Sequence, residues 1–338
     1  ALQVTSRPTD WRPEQVVNKT SSINSELSET TLVENANAEA GPALAINRDG
    51  RMALAWMSED PTKPRQQALE IAIRMFDGKV WAEPIQLTTD DMLDTVPTTG
   101  FDKNGQVLTV WMTNTSASIT ADSVFDQSLA KKFELAYAAV DQDGKILTSG
   151  KLTDDDVFDF NPQIATGSDG SLWVFWQSSP SASMIGTASA PNQLKCARWN
   201  GKTWSKVQVI TEELTGTIFW KAVINRGDDI RIVTDGDLDD DLSTASDREI
   251  FLYTYSRSGW KKTQITHNDT SDTAPMIAFN YGKLALAWVN NNQRLVGLVG
   301  SPSQEPATWL DEKSGVSVWP ALANGNLLGN PGGNLTMV

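Results

Sequence analysis

The sequence is short of several things, and each shortage removes a class of chemistry. One cysteine, Cys196, occurs in 338 residues, so no internal disulfide can form and metal sites built from clustered thiolates are excluded. One histidine, His267, is present. A Ser-His-Asp triad would have to use it, and no Gly-x-Ser-x-Gly phrase accompanies it. Bases are scarce: 28 Lys plus Arg stand against 42 Asp plus Glu, a formal charge of −14, which repels a phosphate backbone or an anionic bilayer surface. Nucleic acid is therefore not expected as a partner. No apolar run approaches the roughly 18 residues that span a bilayer, so membrane insertion is not expected either. No charged segment with an apolar core precedes Ala1. The chain thus reads as a mature or trimmed product, and the expected location is secreted or cell surface.

What is plentiful is repetition. The stretches "GPALAINRDGRMALAW", "VPTTGFDKNGQVLTVW", "NPQIATGSDGSLWVFW" and "APMIAFNYGKLALAW" are near copies. Pro42, Pro97 and Pro162 are each followed after fourteen residues by Trp56, Trp111 and Trp176, and Pro275 is followed after thirteen by Trp288. A Leu or Ile stands ten residues before each proline: Leu32, Leu87, Leu152 and Ile265. Two degenerate copies keep that spacing, Ile210 before Trp220 and Leu310 before Pro320. The result is six units with steps of 45 to 65 residues, a period in the range of propeller blades and longer than leucine-rich or ankyrin repeats.

Within a unit the patterns are those of strands. Apolar runs flank Arg48-Asp49-Gly50 and Gln142-Asp143-Gly144, as in hairpins closed by Asp-Gly turns. One four-stranded sheet of this kind cannot bury both faces, whereas several set radially cover one another. The sequence therefore predicts an all-β, six-bladed β-propeller with four antiparallel strands per blade, forming a single domain over residues 1–338. The blades fall at approximately 42–87, 97–152, 162–210, 220–265, 275–310, and 320–338 plus 1–32. In that scheme the N-terminal strands complete the last blade and close the ring. The repeated tryptophans are expected to pack between adjacent blades.

Acidic residues concentrate in the six connectors 33–41, 88–96, 153–161, 211–219, 266–274 and 311–319, which hold fifteen acids and one base, Lys313. Propeller topology sends all of these connectors to one face, which then carries a concentrated negative field. Three residues before each marker lies a side chain with an acceptor oxygen: Glu39, Asp94, Asp159, Thr217, Asp272 and Ser317. Such groups are expected to accept backbone N–H bonds in the turn leading into a strand. Asp90, Asp91, Asp154, Asp155 and Asp156 have no repeated structural position and are candidate ligand-binding residues. Trp220 and Trp319 interrupt the connector pattern and are candidates for the same surface. In "TDGDLDDDLSTASDRE", Asp235, Asp237, Asp239 and Asp241 alternate as the first ligands of a calcium loop do, and calcium is the expected cofactor there.

The recurring phrase "LT-acid-acid … D-x-x-P … D-G … W" resembles the blades of secreted bacterial propellers and, loosely, the Asp-box-like propellers of the sialidase superfamily. The connectors contain no arginine with which to hold a substrate carboxylate. The resulting expectation is a noncatalytic binding propeller whose acidic, loop-rich face holds a protein, a glycan or calcium. The alternative is a carbohydrate-active enzyme, a glycosidase or polysaccharide lyase, using carboxylates of that face as acid and base.

Overall fold

Runs rich in Val, Ile, Leu, Thr and aromatic residues, punctuated by short Gly turns, form five four-stranded antiparallel sheets. They cover residues 43–86, 93–151, 158–214, 220–264 and 272–310, and the strand order within each sheet is the chain order. The computed structural model describes residues 31–310 apart from 38–40, 65–66, 117–118, 120–125, 242, 245, 257, 281, 292–293, 302 and 304–305. It also describes 2–3, 322–323 and 336–337.

The hairpin turns are built the same way in successive sheets. Asn47 Oδ1 accepts the N–H groups of Asp49 and Arg51 at 2.9 and 3.0 Å. Asp102 does this for Asn104 and Gln106, and Asp141 for Asp143 and Lys145. A short polar side chain ahead of the turn thus caps it from within. Gly170 shows why glycine closes these turns. Its φ is +77°, and a Cβ there would fall 2.7 Å from Lys103 Cα, so both the backbone angle and the space favour glycine.

The first strands of successive sheets touch one another, while the fourth strands make no comparable mutual contacts. First strands are therefore innermost and fourth strands outermost. The hydrophobic core is divided among the gaps between sheets. One cluster joins Leu108, Val110 and Leu135 of the second sheet to Phe158, Val174 and Trp176 of the third. Others join the third sheet to the fourth through Phe175 and Ile232, and the fourth to the fifth through Val233 and Trp288. Because each middle sheet is covered on both faces, the second strands Val107–Asn114 and Leu172–Ser179 are buried at every residue, which is the pattern of a doubly covered sheet. Trp56, Trp111, Trp176 and Trp288 are 4, 4, 0 and 2% exposed; Trp176 and Trp288 pack in these gaps, and Trp111 packs between the first and second sheets with Met57 and Ile71.

The repeated proline is a bulge residue. The ladder between first and second strands breaks register at Thr95/Thr98, Phe160/Gln163 and Thr273/Met276. Within those breaks Val96, Asn161 and Ala274 have φ of 51, 53 and 50°, each immediately before Pro97, Pro162 or Pro275. A proline has no N–H to offer the ladder, so it falls where an extra residue has already interrupted pairing. At the chain ends, Leu2–Gln3 pairs with Thr336–Met337, which also pairs with Leu322–Ala323.

Candidate functional site

Chain-order antiparallel sheets place the connectors between sheets and the loops between second and third strands at one end of the molecule. The tight turns lie at the other. At the connector end a side-chain network recurs at three sheet junctions. The third strand of one sheet contributes Glu70, Glu134 or Glu249, 3, 2 and 3% exposed. The end of its fourth strand contributes Thr88, Thr153 or Thr266, whose hydroxyl oxygen accepts the N–H of Ile71, Leu135 or Ile250 at 2.9 Å. The next sheet contributes Asp94, Asp159 or Asp272, 1, 0 and 0% exposed. These aspartates accept the indole N–H of Trp111, Trp176 and Trp288 at 3.0, 3.1 and 2.9 Å.

This corrects the role expected for the acceptors ahead of each proline marker. Asp94, Asp159 and Asp272 serve the tryptophan indoles, because the bulge turns them inward over the second strand. Thr217 differs again and donates to the backbone oxygen of Asp235 at 2.8 Å. Glu39 and Ser317 lie outside the described residues.

The connector residue four positions before each aspartate distinguishes the junctions. It is Asp90, Asp155 or Asn268, and all three are exposed. Between the second and third sheets, the Asp155 N–H donates to Glu134 Oε1 at 2.8 Å. Between the fourth and fifth, the Asn268 N–H donates to Glu249 Oε1 at 2.9 Å, and its side-chain amide donates to Asp272 Oδ2 at 2.8 Å. Between the first and second, Lys63 Nζ donates to Glu70 Oε1 at 2.7 Å and to the backbone oxygens of Thr89 and Asp90.

Glu70, Asp90 and Asp94 form one group in which one carboxylate oxygen from each lies within 4.8 Å of the others, and Glu134, Asp155 and Asp159 form a second. Burial pushes Asp94 up to about 6 and Glu134 up to about 7, and it also raises Asp159 and Glu249, since a low-dielectric surrounding disfavours the charged form. Oε2 of Glu134 and Oδ2 of Asp159 are buried without a well-aligned donor. The hydroxyls of Thr153 and Ser178 stand close enough to moderate the rise at Asp159.

The other candidate residues are placed as follows. Asp91 pairs with Lys63 at 3.6 Å, Asp154 with Lys151 at 2.8 Å and Asp156 with Lys132 at 2.9 Å. Their side chains are 79, 75 and 84% exposed, so each pair contributes little to stability. Trp220 is 5% exposed and packs in the core with Ile230 and Ile232. It stands directly opposite Thr234, the position where the second strands of other sheets carry tryptophan, so it fills that space from the neighbouring strand. It offers no ring to a ligand. Trp319 lies outside the described residues.

The aspartates of the fourth-sheet loop divide. Asp235, 0% exposed, is turned inward. It accepts from Ile218 and Phe219 N–H, from Thr273 Oγ1 and from Arg248 Nη2. Asp241 closes its own turn onto Ser243. Asp237 and Asp239 instead approach Asp247. The sequence reading missed Asp247 and the three third-strand glutamates. The available signal for the glutamates was a lone acid opening an otherwise apolar strand, as in "LEIAIRMF", "FELAYAAV" and "EIFLYTYS".

Two clefts, of about 340 and 390 Å³, open among the tight turns at the opposite end. Their acids are committed to structure: Asp102 caps its turn, and Asp169 accepts from Ser171 and from Gly227. The candidate site is therefore assigned to the connector end, where exposed carboxylates stand beside buried ones whose affinity for a proton is raised by burial.

No protein-family model matches the sequence, and no curated protein matches it. Solved structures share the fold. A GH93 α-L-arabinofuranosidase of Fusarium graminearum superposes with a TM-score of 0.53 at 13% identity, covering 90% of this chain and 95% of that one. The Hadza microbial sialidase Hz136 gives 0.52 at 12% identity, covering 83% of this chain, which spans 60% of the sialidase. A protein of unknown function from Dyadobacter fermentans gives 0.50 at 12%, covering 90% and 93%. At these identities the likeness is one of fold alone: an all-β protein of antiparallel four-stranded sheets, arranged like those of β-propeller enzymes. The noncatalytic binding role expected from the sequence is set aside on this finding, because the neighbours of named activity are carbohydrate-active enzymes.

Proposed function

We propose that the protein is a carbohydrate-active enzyme of the glycosidase type, acting at the connector end on a glycan that carries no carboxylate. The observation that carries this reading is the run of exposed carboxylates on two successive connectors, Asp90 and Asp91 followed by Asp154, Asp155 and Asp156. Glycoside hydrolysis needs one carboxyl as acid and a second as base or nucleophile. A lyase or a sialidase would in addition need a cation to hold the substrate carboxylate. Among the described residues at this end, Arg248 is 6% exposed and already bound to Asp235 and to the Gly216 oxygen, both at 3.0 Å, and Lys63, Lys132 and Lys151 are paired with Glu70, Asp156 and Asp154, so these cations are committed to the protein's own groups.

Three further statements belong to the same proposal. The sheets form a six-bladed ring whose last blade is completed from the N-terminus, supported by the pairing of Leu2–Gln3 with Thr336–Met337. Calcium sits in the fourth-sheet loop on Asp237, Asp239 and Asp247. The partner is a glycan rather than a protein, met at the cell surface or outside it.

The test is release of reducing ends from neutral polysaccharides such as arabinan, galactan and xylan, beside pectate and sialylated glycans as acidic controls. Hydrolysis of a neutral polymer is expected, with kcat reduced about a hundredfold or more in a D90N/D91N or a D154N/D156N variant. Activity confined to the acidic polymers, or retained in full by both variants, would refute the reading.

A further inference from the structure

The three equivalent junctions surround their buried carboxyls differently, and one of them has neither a lysine ammonium nor a side-chain amide in the cluster. Between the fourth and fifth sheets the side-chain amide of Asn268 reaches Asp272 Oδ2. Between the first and second, the ammonium of Lys63 sits on Glu70 and on two connector carbonyls. Between the second and third, an aspartate, Asp155, stands where Asn268 stands, and no lysine enters the cluster. Lys132 and Lys151 are drawn off to Asp156 and Asp154, and Lys195 lends Asp159 only a field at a distance. Glu134 and Asp159, 2 and 0% exposed, each keep one oxygen with no aligned donor among the described residues; Glu70, Asp94 and Glu249 do so as well, but at their junctions an ammonium or a side-chain amide stands in the cluster. An uncompensated buried carboxylate is costly enough that natural proteins pair it, protonate it or bind a metal to it.

We propose that Glu134, Asp155 and Asp159 form a calcium site at the junction of the second and third sheets, distinct from the loop that carries Asp237. Calcium–oxygen bonds of roughly 2.3–2.6 Å put oxygens on opposite sides of one ion about 5 Å apart and those at right angles about 3.5 Å apart. Three carboxylate oxygens mutually within 4.8 Å meet that condition. All three donors are hard oxygens, which excludes a preference for soft metals. Asp155 is the exposed member and gives the ion its way in. The ion would bridge a third strand of one sheet to the first strand of the next, doing for this junction what Lys63 and Asn268 do for the others.

The test uses thermal unfolding of the full chain near neutral pH in chelator and in millimolar calcium chloride, with no activity readout, so it is independent of the glycosidase reading. Calcium at a hundredfold excess over its dissociation constant should raise the wild-type midpoint by roughly 5 °C. D155N copies the Asn268 junction. It should unfold in chelator at or above the wild-type midpoint and lose the calcium response at this site, whereas D247N should keep it. D159N, which still offers an oxygen to Trp176, serves as a second variant and should also lose the response. Terbium emission sensitised through Trp176, whose indole nitrogen is 3.1 Å from Asp159 Oδ1, should fall in D155N, and in a D155N/D247N variant it should fall below that of D247N alone. A wild-type midpoint indifferent to calcium, or a D155N variant with the full calcium shift, overturns the site. So does a midpoint that follows pH while ignoring calcium, which would mean that a shared proton compensates the pair.

Discussion

Trp176→Phe and Trp56→Phe together measure the bond that ties the repeated aspartate to the repeated tryptophan. Both residues sit at the same place in their sheets, and both are almost fully buried, at 0 and 4% exposure. Replacement by phenylalanine removes the same atoms from each, so the loss of buried area and the void left behind largely cancel in the comparison. What differs is the indole nitrogen. That of Trp176 donates to Asp159 Oδ1 at 3.1 Å, while that of Trp56 is buried with no partner among the described residues. Losing a bond to an acid is worth about 1.5–3 kcal/mol, whereas deleting an orphaned donor relieves a desolvation cost of about 1–3 kcal/mol. Trp176→Phe should therefore be the more destabilising by at least about 1.5 kcal/mol, read from urea unfolding midpoints at constant slope. An equal or larger loss in Trp56→Phe would show that the Asp–Trp bond contributes nothing net, and that packing alone explains the repeated tryptophan.

Other consequences follow from single positions. The Cys196 thiol is 0% exposed and pushed up to about 12 by burial. It should stay unreactive to a disulfide reagent at mildly alkaline pH until the protein unfolds, and stoichiometric labelling of native protein would contradict its placement. Gly216 has φ +58°, and a Cβ there would fall 2.0 Å from Asp237 Cβ. Gly216→Ala should cost more than about 2 kcal/mol, measured by thermal unfolding, and a neutral substitution would mean the loop is built differently. Asn268→Asp removes the amide that serves Asp272 Oδ2 and should cost about 1–2 kcal/mol in chelator. The same change recreates three acids at that junction, so part of the loss should return with calcium.

The sheets were legible because their determinants are local. Asp49-Gly50, Asn104-Gly105 and Asp169-Gly170 mark hairpins that close within a few residues, and alternation between them has the strand period. The proline and tryptophan markers were visible for the same reason, although their physical meaning was not. Nothing in the string "VPTTG" shows that Val96 takes a left-handed φ, since that conformation is imposed by the neighbouring strand. The acceptor role of Asp159 likewise depends on Trp176, 17 residues away and on another strand. Trp220 was misread because its departure from the pattern looked like exposure, whereas it is a cross-strand exchange with Thr234. The glutamates lie 19 to 21 residues from the connector N–H groups they accept in two of the junctions, beyond the reach of any short motif.

The charge count of the connectors carried the expectation of an acidic binding face, and the structure shows where that arithmetic fails. Asp94, Asp159 and Asp272 are buried acceptors for tryptophan and present little field to a partner. Asp91, Asp154 and Asp156 face Lys63, Lys151 and Lys132. These lysines sit on flanking strands and loops, so a count restricted to connectors records the acids and omits their counterions. Burial raises Glu134 and Asp94 toward neutrality, which reduces the field further. The residual charge lies on exposed groups such as Asp90, Asp155, Glu212, Glu213 and Asp269, whose fields are screened over a Debye length of about 8 Å at physiological salt. They are well suited to short-range work on a substrate that has already docked. The same acids that looked like an electrostatic surface are thus divided between holding sheets together and, in the proposed reading, chemistry at close range.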